Sequence, residues 1–136
     1  MLPGTSFGLG STRYAPARRL IDAGGALALG TDLNPGTSWC ESLPMMMALA
    51  TRYMGLSPAE ALTAVTLNAA CAVGLGHEIG SLEPGKAADL VILEAPDYRH
   101  LAYRYGVSLV HTVIKRGRVV VEDGVLRIPG RQTVRE

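Results

Sequence analysis

The chain has 136 residues, 48% of them hydrophobic, with 13 basic and 12 acidic side chains for a formal net charge of +1. That is enough apolar material for one modest domain with a buried core, which excludes a disordered tail. The charge balance, with Arg127, Arg131 and Arg135 dispersed and solvated, excludes an electrostatic footprint for nucleic acid or an acidic membrane surface.

Two cysteines, Cys40 and Cys71, form neither a disulfide framework nor a CxxC knuckle. Both fall in stretches that read as helical, and two reduced core thiols are expected. The Met1-Leu2-Pro3-Gly4 start lacks a basic segment and a long apolar region, so no signal peptide is read there. No apolar run approaches the ~20 residues of a membrane span. A cytoplasmic protein is the expectation.

In chain order, Met1 to Ser6 reads as a strand end and loop, an opening expected of a piece of something larger. Gly8-Leu9-Gly10-Ser11-Thr12 contains a GxG but neither GKS/GKT nor GxGxxG, so it is not a phosphate loop. Tyr14 to Asp22 is a predicted helix, with Pro16 in its first turn and Gly24-Gly25 stopping it. Ala26 to Gly30 is short, small and apolar, as a buried parallel strand is. It stops at a carboxylate, Asp32, followed at once by Leu33-Asn34-Pro35-Gly36-Thr37-Ser38. A buried strand that delivers an acid to its C-terminal end, then a tight polar loop, is how an α/β barrel builds an active site. An acid so placed can bind a metal or move a proton. Equally, Asp32 could form a turn, Asn34-Pro35-Gly36 a plain turn, and Thr37 and Ser38 helix caps.

Glu41 to Tyr53 is the next predicted helix, with Ser38 as its N-cap, Pro44 in its first turns and Gly55 ending it. Met45-Met46-Met47 cannot share one helix face and reads as core filling. Ser57-Pro58-Ala59-Glu60 is a capping box opening a further helix that runs on past Ala72 to Gly74 or Gly76. Glu83-Pro84-Gly85-Lys86 is a type II turn. Beyond it lie a strand at 90–93, a short helix or structured loop at 98–105, and strands at 110–115 and 118–121 across Arg116-Gly117. Asp123-Gly124 is a hairpin signal returning the chain as Val125 to Ile128, and 131–136 is expected to fray. His77 reads as solvated; His100 and His111 read as partly buried packing residues.

These motifs resemble the C-terminal third of the imidazolonepropionases, metal-dependent hydrolases of the amidohydrolase superfamily. The specific mark is Thr31-Asp32-Leu33-Asn34-Pro35-Gly36-Thr37-Ser38. Superfamily marks follow: Thr66-Leu67-Asn68-Ala69-Ala70 with Gly74-Leu75, then Gly80-Ser81-Leu82-Glu83-Pro84-Gly85-Lys86-Ala87-Ala88-Asp89-Leu90-Val91. Leu101-Ala102-Tyr103-Arg104-Tyr105-Gly106-Val107 also fits the family. The resemblance implies an α/β fold, the C-terminal part of a (β/α)8 barrel followed by part of a small β-sandwich. Residues 1–80 would carry the terminal strand and helices of the barrel, and 81–136 the sandwich share.

It also implies hydrolysis of the ring amide of 4-imidazolone-5-propanoate to N-formimidoyl-L-glutamate, in histidine degradation. A zinc or iron ion would activate the water. The matching positions make Asp32 metal ligand and proton acceptor, and Asn34, Gly36 and Thr37 substrate contacts. The partner implied is that small molecule, with no nucleic acid and no membrane; the resemblance also allows a homodimeric parent enzyme. The chain departs from the family in one respect. The family's His-x-His pair and later histidine have no counterpart before Asp32, since His77, His100 and His111 all lie downstream. Alone, this polypeptide is expected to be inactive. Two other readings stand beside this one: another cyclic amidohydrolase or heterocycle aminohydrolase, and a non-catalytic, partner-binding remnant.

Overall fold

The computed structural model describes residues 1–127. Five helices come first: α1 Pro3–Gly8, α2 Ala17–Asp22, α3 Leu43–Tyr53, α4 Pro58–Val65 and α5 Leu67–Ala72. The strands β1 Leu90–Leu93, β2 Val110–Lys115, β3 Arg118–Glu122 and β4 Val125–Leu126 follow, with α6 His100–Tyr103 between β1 and β2. Among the described residues no helix is long and apolar enough to cross a membrane.

Proline chemistry sets several boundaries. The opening is not a loop: Pro3 is the first residue of α1, where its missing N–H costs nothing. α2 starts at Ala17, not Tyr14, because Pro16 forces Ala15 out of the helical region and itself becomes the N-cap. α3 starts at Leu43, not Glu41, and Ser42, not Ser38, caps it by accepting the Met45 N–H at 3.3 Å. A start at Glu41 would put Pro44 fourth, where an N–H is needed; a start at Leu43 puts it second, where none is.

The helix expected from Ser57 onward is two helices. Thr66 breaks it with φ −116° and ψ −94°, while its Oγ1–H donates to the Leu62 carbonyl at 2.7 Å. The break frees the Ala64 carbonyl, which accepts the Leu29 N–H at 3.0 Å. Ala26 to Gly30 is accordingly not a laddered strand. It does keep one rung of parallel pairing: the Met1 amine donates to the Ala28 carbonyl and Gly30 N–H to the Met1 carbonyl. Among the described residues Met1 alone supplies such a rung, too little for a ladder.

β1 to β4 form an antiparallel meander in sequence order, with Leu90 opposite Ile114, Lys115 opposite Arg118 and Glu122 opposite Val125. Both hairpins turn on a residue pair with positive φ: Arg116 (48°) with Gly117 (77°), and Asp123 (52°) with Gly124 (73°). That is the geometry that matches the twist of paired strands. The expected strand from Val125 ends at Leu126; Ile128 and the expected frayed end at 131–136 lie outside the described residues.

The core lies among the helices. Ala17, Leu29, Met47, Ala50, Met54, Leu56, Ala61, Ala64 and Ala102 form one buried cluster. Seven of the nine are alanine or methionine, so backbones approach closely and flexible thioethers fill the gaps. Met46 and Met47 are both fully buried, as core filling requires. Arg52 ties α3 to α6, donating to the Ala48 and Ala102 carbonyls at 3.1 and 3.0 Å with its guanidinium 5.0 Å from the Tyr105 ring centre.

The capping box forms as expected: Ser57 accepts from Glu60 N–H at 3.2 Å and Glu60 accepts from Ser57 N–H at 2.8 Å. Arg18 of α2 also grips Glu60, at 2.9 Å. The Ser57 N–H and then Arg18 hold the Glu60 carboxyl below its ordinary value of 4.5. A carboxyl lowered on folding stabilises above its unfolded pKa, and that stabilisation is lost as pH falls through the folded value. The urea midpoint of the wild type should therefore exceed that of Glu60→Gln at pH 7, with the gap closing below about pH 4.5. A gap that stays constant down to pH 3 would show that the contact does not work through charge.

Candidate active site

The approach to Asp32 is fixed by two bonds from the α4–α5 break. Asn68 Nδ2 donates to the Leu27 carbonyl at 2.8 Å, and Leu29 N–H reaches Ala64. Leu29 is also buried in the helical core, so the segment is anchored at three points, and Asp32 beyond it is exposed.

Asp32 itself has φ +50°. Asp tolerates this left-handed region better than most residues, and departures of this kind concentrate at functional sites. The turn behind it is organised by Asn34. Its Oδ1 accepts from Gly36 N–H at 2.9 Å and Thr37 N–H at 2.8 Å, while its Nδ2 donates to the Asp32 carbonyl at 2.6 Å. Asn34 N–H bonds the Ser38 carbonyl at 3.0 Å, closing the loop. Neither Thr37 nor Ser38 caps a helix: Thr37 Oγ1 lies 3.2 Å from Asn34 Nδ2, and buried Ser38 donates to the Thr31 carbonyl at 2.7 Å. Asp32, Asn34, Gly36 and Thr37 thus sit in one closed turn. Trp39 packs on it from outside, donating to the Pro35 carbonyl at 2.8 Å and staying 76% exposed.

The Asp32 carboxylate is held at one oxygen. Thr5 Oγ1–H donates to Oδ2 at 2.7 Å, and Oδ1 takes no partner among the described residues. An exposed, unpartnered carboxylate oxygen is a hard donor that fits one coordination position of zinc or iron, or can accept a proton from water. Among the described residues no group of three or more His, Cys, Asp or Glu side chains is placed to hold a metal ion. Surface clefts of about 560 and 340 Å³ lie elsewhere. The larger is lined by Arg52, Asp97, Arg99 and His100, the smaller by Ser42, Leu101 and Tyr105, and neither by the Asp32 turn.

The histidines sit apart from Asp32 in sequence and in role. His77 is exposed. His100 is half-buried, edge-on to Tyr103 at 6.4 Å, and His111 Nε2 meets Asp123 at 3.1 Å. The cysteines differ from expectation: Cys71 is exposed on α5, and Cys40 is half-buried in the stretch before α3 rather than in a helix. Thr5 and Asn68 are the residues that sequence reasoning missed. Asn68 stood inside a noted motif without a role, and Thr5 stood in what read as a loop.

The amidohydrolase family model matches residues 8–120. The chain belongs to the amidohydrolase family. Among similar amidohydrolases, an imidazolonepropionase of Geobacillus kaustophilus is 57% identical over 94% of this chain and 30% of its own length. An imidazolonepropionase of Herpetosiphon aurantiacus is 56% identical over 88% of this chain and 28% of its own. A zinc-bound adenosine deaminase of Xanthomonas campestris superposes with a TM-score of 0.79 at 27% identity, covering 93% of this chain and 32% of the deaminase. The chain thus spans about 30% of the length of the curated amidohydrolases it matches. Its mixed helices and antiparallel sheet are consistent with a partial α/β barrel of the amidohydrolase fold.

Proposed function

We propose that this chain forms the C-terminal portion of an imidazolonepropionase-type hydrolase. In it, Asp32 would be a metal ligand and proton acceptor for ring-amide hydrolysis of 4-imidazolone-5-propanoate to N-formimidoyl-L-glutamate. The observation carrying the reading is the 57% identity to an imidazolonepropionase across nearly the whole chain. Residues 1–80 belong, in this reading, to the barrel and 81–136 to the sandwich, and a soluble, cytoplasmic location follows from a metabolic role. A zinc or iron ion, when bound, lowers the pKa of its water toward ~7. Asp32 Oδ1 is the atom on this chain that would take that proton and pass it to the departing ring nitrogen. Asn34 sets the turn, and Gly36 and Thr37 present its backbone and hydroxyl to the imidazolone. Histidine ligands would come from barrel segments outside this chain.

The test is a chimera in which this chain replaces the matching C-terminal part of the Geobacillus kaustophilus enzyme. It should open 4-imidazolone-5-propanoate with kcat/KM within about tenfold of the parent, a loss of at most ~1.4 kcal/mol of transition-state stabilisation. A folded chimera without turnover would sink the reading. The superposition on a deaminase favours a second one, a heterocycle aminohydrolase, and ammonia release from adenosine- or guanine-type substrates by the same chimera would select it. The 136-residue chain by itself, after dialysis at micromolar concentration, should hold well under one zinc or iron ion by elemental analysis, since catalytic zinc takes about three protein ligands. A stoichiometric ion would mean that the chain completes a site of its own.

A further inference from the structure

We propose that Thr5 is a positioning residue for Asp32: its hydroxyl pins carboxylate oxygen Oδ2 and so leaves Oδ1 as the oxygen presented to a ligand. The inference rests on the role proposed for Asp32 and deepens it. Thr5 and Asp32 stand 27 residues apart and meet at 2.7 Å. Thr5 carries one O–H, and that donor goes to the carboxylate. A carboxylate at a left-handed residue, exposed and otherwise unheld, would rotate freely about its side-chain torsions; one donated hydrogen bond selects its orientation.

α1 is built to bring Thr5 there. Pro3 and Gly4 are buried, and α1 packs along α3. A Cβ on Gly4 would lie 2.9 Å from both Ser38 Oγ and Met46 Cε; one on Gly8 would lie 2.0 Å from the Thr37 carbonyl oxygen. Two glycines four residues apart on one helix face thus let α1 lie flush against the turn that carries Asp32. Thr5 sits between them. Any residue larger than glycine at Gly8 meets backbone and lifts the helix off the turn. Partners that orient a ligating group are worth about 10–100-fold in metal affinity or activity when removed.

The experiment uses the zinc-loaded chimera and two substitutions at one position. Thr5→Val keeps shape and removes the donor; Thr5→Ser keeps the donor and removes a methyl. Thr5→Val should lower kcat about 10–100-fold with KM within about twofold, and speed zinc loss to dipicolinate by a similar factor, while Thr5→Ser stays within about threefold of wild type on both readouts. In an Asp32→Asn background Thr5→Val should add little, because both changes act through one carboxylate. The proposal is overturned if Thr5→Val retains wild-type kcat and zinc retention, or if Thr5→Ser falls as far as Thr5→Val, which would assign the effect to packing. An active chimera crippled by Asp32→Asn but indifferent to Thr5→Val sinks this inference alone; a chimera indifferent to Asp32→Asn sinks the reading beneath it.

Discussion

Asp32→Asn in the chimera is expected to lower kcat for ring opening by about 10²–10⁴-fold, the range of a lost general acid–base group. The substitution is close to isosteric. Asparagine tolerates positive φ as aspartate does, so the turn at φ +50° should survive. Thr5 can still donate to the amide oxygen. What disappears is the charge: an amide binds a cation more weakly and cannot accept a proton from water near neutral pH. The melting temperature should stay within a few degrees while turnover collapses, a split that separates chemistry from folding. Turnover within about threefold of the unsubstituted chimera would remove Asp32 from the reaction.

Leu29→Ala is the expected large effect on stability, at about 2–5 kcal/mol. Leu29 is 3% exposed and lies in the helical core, and its backbone N–H is committed to Ala64. Truncation would leave a cavity in a cluster to which α2, α3, α4 and α6 all contribute. Leu33, four residues on, is 54% exposed, and Leu33→Ala should change stability by no more than about 0.5 kcal/mol. Urea titration followed by circular dichroism compares them. Equal midpoints for the two variants would mean that the segment before Asp32 is not anchored through Leu29. Because that anchor also aims Asp32, Leu29→Ala in the chimera should lose activity in excess of its loss of folded protein.

Much of this was legible in local chemistry. The capping box at Ser57, the glycine after Tyr53, β1 and β2 to the residue and the hairpin at Asp123-Gly124 are dictated by neighbours within four positions. Other boundaries turn on one geometric fact. Pro44 excludes a start at Glu41, because the fourth helical position needs its N–H, and so passes the cap from Ser38 to Ser42. The break at Thr66 has no strong local signal: threonine occurs inside helices, and the break releases the Ala64 carbonyl for Leu29, far upstream in the chain.

The sequence by itself determined the family, the polar turn and the acid at its head, because a run such as Asp32-Leu33-Asn34-Pro35-Gly36-Thr37 encodes its own Asx bonds and its own chemistry. Only the tertiary structure decided how that acid is held. Thr5, Gly8 and Asn68 act on the turn across 27 to 41 residues, and a hydrogen bond between distant positions leaves no periodicity or spacing in a chain to be read.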